Sequence, residues 1–185
     1  MKIVAIVGSP RLKGNTSYLV DQALLEATRL GAETEKIVLS QYQLNPCLGH
    51  DDCASYESCL QKDDAVWILD RFRQADGVIL ATPVYYYNVS AQMKAFIDRN
   101  YFIYKHDLKY NARAVGIIVV GEQIGIEDTV HTLMQFTDEL SVEDNRIFTV
   151  CGYATRMGDV QNNLKLVEEA RKLGRQMAES LKEDN

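Results

Sequence analysis

Apolar residues fall along this chain in two alternating rhythms. Short runs, KIVAIV (2–7), TEKIVL (34–39), GVILAT (77–82), AVGIIVV (114–120) and RIFTV (146–150), have the length and β-branched content of strands. Three of these runs are almost uninterrupted, which predicts parallel strands covered on both faces. Between them the apolar positions recur every three or four residues. Leu19, Val20, Ala23, Leu24 and Ala27 form one such stripe; Ala65, Ile68, Leu69 and Phe72 form the next. Met93, Phe96 and Ile97, then Val130, Leu133, Met134 and Thr137, and finally Leu166, Val167, Ala170, Leu173 and Met177 continue the pattern. Each stripe predicts a helix with a single buried face.

Five strands alternating with five helices imply right-handed crossovers and an α/β doubly wound, five-stranded parallel sheet between two helical layers. The expected strand order is 2-1-3-4-5, and residues 1–185 read as one domain. In such sheets ligands bind beyond the carboxyl ends of the strands, where the winding direction reverses. That assigns the loop after the first strand and the loop after the third to one site.

The first of these loops reads GSPRLKGNTS, residues 8–17. A helix starting near Asn15 leaves the amides of Asn15, Thr16 and Ser17 without partners in their own helix, and such an end attracts anions. Ser9, Thr16 and Ser17 add hydroxyls, Gly14 permits close approach, and Arg11 offers a forked donor for phosphate oxygens. The ATPase GK[ST] signature and the dinucleotide GxGxxG fingerprint are both absent. No cysteine stands in the loop to act as a phosphatase nucleophile.

After the third strand comes ATPVYYYNVSAQMKAFIDRN, residues 81–100. Pro83 ends the strand, Ser90 is placed to cap the next helix, and the tyrosines present flat faces with polar tips. A phosphate mouth beside a ring platform suits a mononucleotide-sized cofactor. The two motifs together resemble the NADPH-dependent FMN reductase and iron-sulfur flavoprotein families, which are flavodoxin-like proteins that bind FMN, usually as dimers or tetramers. The resemblance runs through most of the chain, including GDV at 158–160. It implies that Ser9, Arg11, Asn15, Thr16 and Ser17 hold the FMN phosphate, and that Pro83, Val84, Tyr85, Tyr86 and Asn88 line the isoalloxazine. The GEQIG segment, 121–125, is expected to border the same pocket, and Tyr87 is assigned to a subunit contact. Asp98 and Arg99 are expected to pair at a helix end.

The longest irregular stretch, about 40–62, contains CLGHDDCASYESC. Cys47, His50, Cys53 and Cys59 resemble the cysteine run of iron-sulfur flavoproteins, with histidine where those carry cysteine. An iron-sulfur cluster with a histidine ligand or an open iron, a Cys3His zinc site and a metal-free loop are the three readings, the last preferred. Cys151 is expected just after the fifth strand as a buried apolar thiol.

A net charge of −6 without a basic stripe speaks against a nucleic-acid partner. No run approaches the roughly 20 apolar residues of a membrane span, so a cytoplasmic setting is expected. The leading function is that of an oxidoreductase taking hydride from NADPH or NADH and passing electrons to a quinone, nitro compound, flavin or protein. An electron carrier, or a metal or redox sensor built on the cysteine loop, is the alternative. Residues 101–111 are read as a lid or dimer contact over the flavin, or as a solvated loop. No side chain is assigned as a catalytic acid or base, because in such enzymes the cofactor carries the chemistry.

Overall fold

A computed structural model of the chain describes residues 1–183. Five parallel strands, β1 (Lys2–Val7), β2 (Glu33–Val38), β3 (Gly77–Pro83), β4 (Ala114–Gly121) and β5 (Ile147–Tyr153), form one sheet in the order β2-β1-β3-β4-β5. The helices are α1 (Asn15–Arg29), α2 (Ala65–Gln74), α3 (Ala91–Arg99), α4 (Tyr101–Lys105), α5 (Ile126–Thr137), α6 (Asp159–Asn162) and α7 (Leu164–Lys182). Two short helices, α4 and α6, join the five that periodicity predicts; they are too brief to show an apolar stripe. The sheet has the flavodoxin-like winding expected from the sequence.

Alternation along each strand sorts side chains between two cores. Ile3, Ala5 and Val7 pack with residues of α1 and α7, whereas Val4 and Ile6 pack with residues of α2, α3 and α5. β4 is buried throughout, and β1 and β3 nearly so, as unbroken apolar runs require. β5 runs three residues past its expected end because Val119 to Gly121 of β4 offer continued pairing to Cys151, Gly152 and Tyr153. Cys151 therefore lies within the strand and is half-buried, and burial together with Glu169 pushes its thiol up.

Among the described residues no helix is long and apolar enough to cross a membrane.

Candidate flavin site at the carboxyl edge of the sheet

The loop after β1 enters α1 through Gly14, whose extended backbone caps the helix without a side-chain bond. Gly14 N–H donates to the Arg11 carbonyl at 3.0 Å, and the Arg11 amide donates to Ser9 Oγ at 3.2 Å, so the loop closes on itself as a compact turn. The helix's own bonds begin with Tyr18 N–H on the Gly14 carbonyl. The amides of Asn15, Thr16 and Ser17 meet no acceptor among the described residues, which leaves the positive end of a 15-residue helix available to an anion. Arg11 is exposed and makes no ion pair among the described residues.

Three of the five residues expected at the phosphate have side chains engaged within the protein, Ser9 inside the turn just described. Asn15 ties α1 to the loop after β5: its Nδ2 donates to the Arg156 carbonyl at 2.8 Å, and its Oδ1 accepts from the Gly158 amide at 2.9 Å. Ser17 is buried, and its Oγ accepts from Lys36 Nζ at 3.2 Å. Both offer an anion their amides. Arg11 and Thr16 keep side-chain groups for it, and Ser9 Oγ, which donates to the Arg11 carbonyl at 3.4 Å, turns to an anion by giving up that long bond.

The loop after β3 is tied to the opening loop by Ser90. The Ser90 side chain is fully buried; its Oγ donates to the Gly8 carbonyl at 2.6 Å and accepts from Met93 N–H at 3.2 Å, capping α3. Its amide donates to Thr82 Oγ1 at 3.1 Å. Gly8 has no room for a side chain, since a Cβ would stand 2.8 Å from both Met93 Cβ and Ser90 Oγ. The first turn of α3 thus rests directly on the end of β1.

Between Pro83 and Ser90 the chain makes a tight turn in which Tyr85 and Asn88 exchange both backbone hydrogen bonds, at 2.9 and 3.1 Å. Its central residues, Tyr86 and Tyr87, have φ of 47° and 67°. Left-handed backbone costs a non-glycine residue roughly 1–2 kcal/mol, and turns of this kind favour Asn-Gly. Val84 N–H donates to the Val120 carbonyl at 2.9 Å, anchoring one side of the turn to β4. Gly125 closes the other side: at φ 89° it brings its backbone so near that a Cβ would lie 2.7 Å from Tyr87 Cα. The segment 121–125 therefore borders the tyrosine turn.

Pro83 ends β3, Val84, Tyr85 and Asn88 follow on the turn, and the Asn88 side chain accepts from the Val89 amide at 2.7 Å. Tyr86 differs. Its ring is 98% exposed and projects from the turn. Sequence reasoning missed the loop after β5, which Asn15 and the bond from Ala154 N–H to the Gly121 carbonyl draw into the site. An asparagine at a helix start was the available signal, but it equally reads as a cap or a ligand.

The cysteine stretch flanks α3. Burial, with Cys59 and Cys47 close by, pushes the Cys53 thiol up, against the pull of Lys105. Gly49 N–H approaches Cys47 Sγ at 3.4 Å. Among the described residues no group of three or more histidine, cysteine, aspartate or glutamate side chains converges on a position for a metal ion. The donor set as arranged does not fit a metal centre.

What holds this stretch is Arg99, which pairs with Asp63 and not with its neighbour Asp98. The guanidinium donates to both Asp63 oxygens at 2.6 and 3.0 Å, to the Asn45 carbonyl at 2.9 Å and to Cys59 Sγ at 3.3 Å. Asp98 bonds Lys94 instead, one turn back. Successive helical residues point about 100° apart, so Arg99 turns inward while Asp98 faces solvent. Burial pushes the Asp63 carboxyl up, but bonds from Arg99 and from the amides of Asn45 and Ala65 outweigh it and hold the group below the usual carboxylate range.

Residues 101–111 do not cover the site. They connect the end of α3 to the start of β4 and so lie at the amino edge of the sheet, opposite the loop after β1. There His106 bridges the carbonyls of Phe102 and Tyr56, each at 2.8 Å, and the segment lines a cavity of about 610 Å³.

A helix mouth with free amides, locked by Ser90 to a tyrosine turn where the sheet reverses its winding, defines the class of flavodoxin-like flavoproteins. The chain belongs to the NADPH-dependent FMN reductase family, whose sequence profile matches residues 1–144. It is 35% identical over 190 aligned positions to an iron-sulfur flavoprotein of Methanocaldococcus jannaschii, covering 98% of each chain. Among solved structures it resembles an NAD(P)H:quinone oxidoreductase from Methanothermobacter marburgensis, with TM-score 0.74 and 15% identity over 95% of this chain and 96% of that one. A flavodoxin from the domain Archaea superposes with TM-score 0.62 and 14% identity, covering 98% and 99%. Those two likenesses concern the fold. The family makes the protein an oxidoreductase that works with FMN.

Proposed function

We propose that the chain holds one FMN at the carboxyl edge of its sheet and uses NADPH or NADH to reduce a second substrate there. The observation that carries this reading is the Ser90–Gly8 bond, which fixes the tyrosine turn against the loop that opens α1. The amides of Asn15, Thr16 and Ser17, with Ser9 Oγ, Thr16 Oγ1 and the Arg11 guanidinium, hold the phosphate. Its charge is met by a helix end and one arginine despite the protein's net negative charge. Pro83, Val84, Tyr85, the Tyr86 backbone and Asn88 support the ring, with Gly125 behind the turn. Bound FMN supplies a ring that accepts hydride from nicotinamide and returns the electrons singly or in pairs. The protein orients that ring and leaves one face accessible.

The same reading takes residues 1–185 as a single flavin-binding domain, assembled as a homodimer or homotetramer in the cytoplasm, and its support is the family resemblance. Mixing purified holoprotein with NADPH and then NADH under anaerobic conditions tests the function. Rapid bleaching of the flavin absorbance supports a reductase. A flavin that stays oxidised with both would leave an electron carrier in its place.

A further inference from the structure

The sheet has two outer strands, and they differ in what they offer a further strand. β2 carries Glu33, Glu35 and Lys36, and Lys2 of β1 bridges both glutamates. Charges so placed guard an outer strand against pairing with another chain. β5 reads IFTVCGY and has neither a charge nor a proline. Ala154 N–H donates to the Gly121 carbonyl, so alternation turns the amides of Gly152, Val150 and Phe148 to β4 and those of Ile147, Thr149, Cys151 and Tyr153 outward. The backbone N–H and C=O groups of these four residues meet no partner among the described residues. Beside them, Phe148, Val150, Glu169, Lys172 and Gln176 line a groove of about 320 Å³ between β5 and α7. An open strand next to a helix is the form of a site that captures an added strand.

We propose that the outer side of β5 is the contact surface for a second copy of this chain, the two β5 strands pairing antiparallel about a two-fold axis at Val150 to give one sheet of ten strands. This inference stands apart from the flavin reading and supplies the surface that an assembly of two or four copies requires. Antiparallel pairing about Val150 sets Thr149 opposite the partner's Cys151 and Ile147 opposite the partner's Tyr153. All four outward residues of each strand then lie in hydrogen-bonded pairs, so the free backbone groups of one strand meet those of the other. Charge favours a second copy over an unrelated strand. Glu169 and Lys172 both line the groove; Lys172 makes no ion pair among the described residues, and Glu169 makes one, to Lys165 at 3.8 Å. A two-fold axis reverses α7 against its counterpart and so brings Glu169 towards the partner's Lys172. Because the paired strands run in opposite directions, the two carboxyl edges point apart and the contact covers neither flavin site.

Sedimentation equilibrium of the FMN-loaded protein reads the assembly, and the wild type should be a dimer or tetramer. Thr149 is exposed and its amide faces outward, so Thr149→Lys keeps the fold while placing two lysines near the axis. The dissociation constant should rise at least about tenfold, with FMN retained as in the wild type. Thr149→Cys tests the register. Opposed residues of a hydrogen-bonded antiparallel pair stand about 5.5 Å apart at Cα, within reach of a disulfide. Mild oxidation of Thr149→Cys should therefore link the new thiol to the partner's Cys151 and give a covalent dimer on a non-reducing gel. The wild type, and Thr149→Cys combined with Cys151→Ser, should give none. A wild type that sediments as a monomer overturns the proposal. So does an assembly that Thr149→Lys leaves intact, or one that Thr149→Cys fails to cross-link, since either would put the contact on another face.

Discussion

Replacing Ser90 with alanine removes two bonds made by one buried hydroxyl. The cap on Met93 N–H is lost, which costs about 1 kcal/mol for a helix of this kind. The Gly8 carbonyl loses its only donor among the described residues, and a buried acceptor left unpaired costs about 1–3 kcal/mol. Alanine fills nearly the same volume, so little is added for a cavity. The sum is about 2–4 kcal/mol, a large share of the roughly 5–15 kcal/mol that holds a domain together. With a urea slope of about 2 kcal/mol/M, the unfolding midpoint of the apoprotein should fall by about 1–2 M. Because the bond also sets the spacing between phosphate loop and tyrosine turn, FMN affinity measured by fluorescence should fall beyond what lost stability explains. A midpoint lowered by less than about 0.3 M would show that the tie carries little energy, and the reasoning would fail.

Thr16→Val and Arg11→Ala should each weaken FMN binding about tenfold or more, as expected for a lost charge-assisted bond, with unfolding midpoints unchanged; equal affinity in both would displace the phosphate site. Gly125→Ala puts a Cβ against Tyr87 Cα at positive φ, and thermal unfolding should show a loss of at least about 2 kcal/mol. Arg99→Met strands the buried Asp63 carboxylate and should cost about 3–5 kcal/mol near neutral pH, while Arg99→Met combined with Asp63→Leu recovers much of it. The folded-state pKa of Asp63 lies below its unfolded value, so the pair's contribution is present at neutral pH and disappears as pH falls through the folded value. Urea unfolding across the acid range should therefore show the wild type and Arg99→Met converging as the medium becomes acidic.

Much of this molecule was legible along the chain because the relevant information is local. An unbroken apolar run such as AVGIIVV has no polar face to show to water, so it must be a strand covered on both sides. Ser90 could be read as a cap because the bond to Met93 lies three residues away. The Asp98–Arg99 pairing was misread for the same reason: adjacency in sequence suggests contact, yet one helical step separates their directions. The lid reading of 101–111 failed because its aromatic content suggested a role near the flavin, while the direction of α3 carries it to the far edge. The turn at Tyr86 and Tyr87 had no local signal, since tyrosine is disfavoured in left-handed backbone.

By itself the sequence determined the strands, the principal helices and the chemistry of two loops, all of which depend on periodicity or on contacts a few residues apart. Only the tertiary structure decided that Ser90 reaches Gly8 across 82 positions, that Asn15 spends its side chain on Arg156 and Gly158, and that Arg99 holds Asp63. These choices depend on which groups become buried together once the sheet is wound. A buried donor must then find an acceptor wherever the chain has brought one.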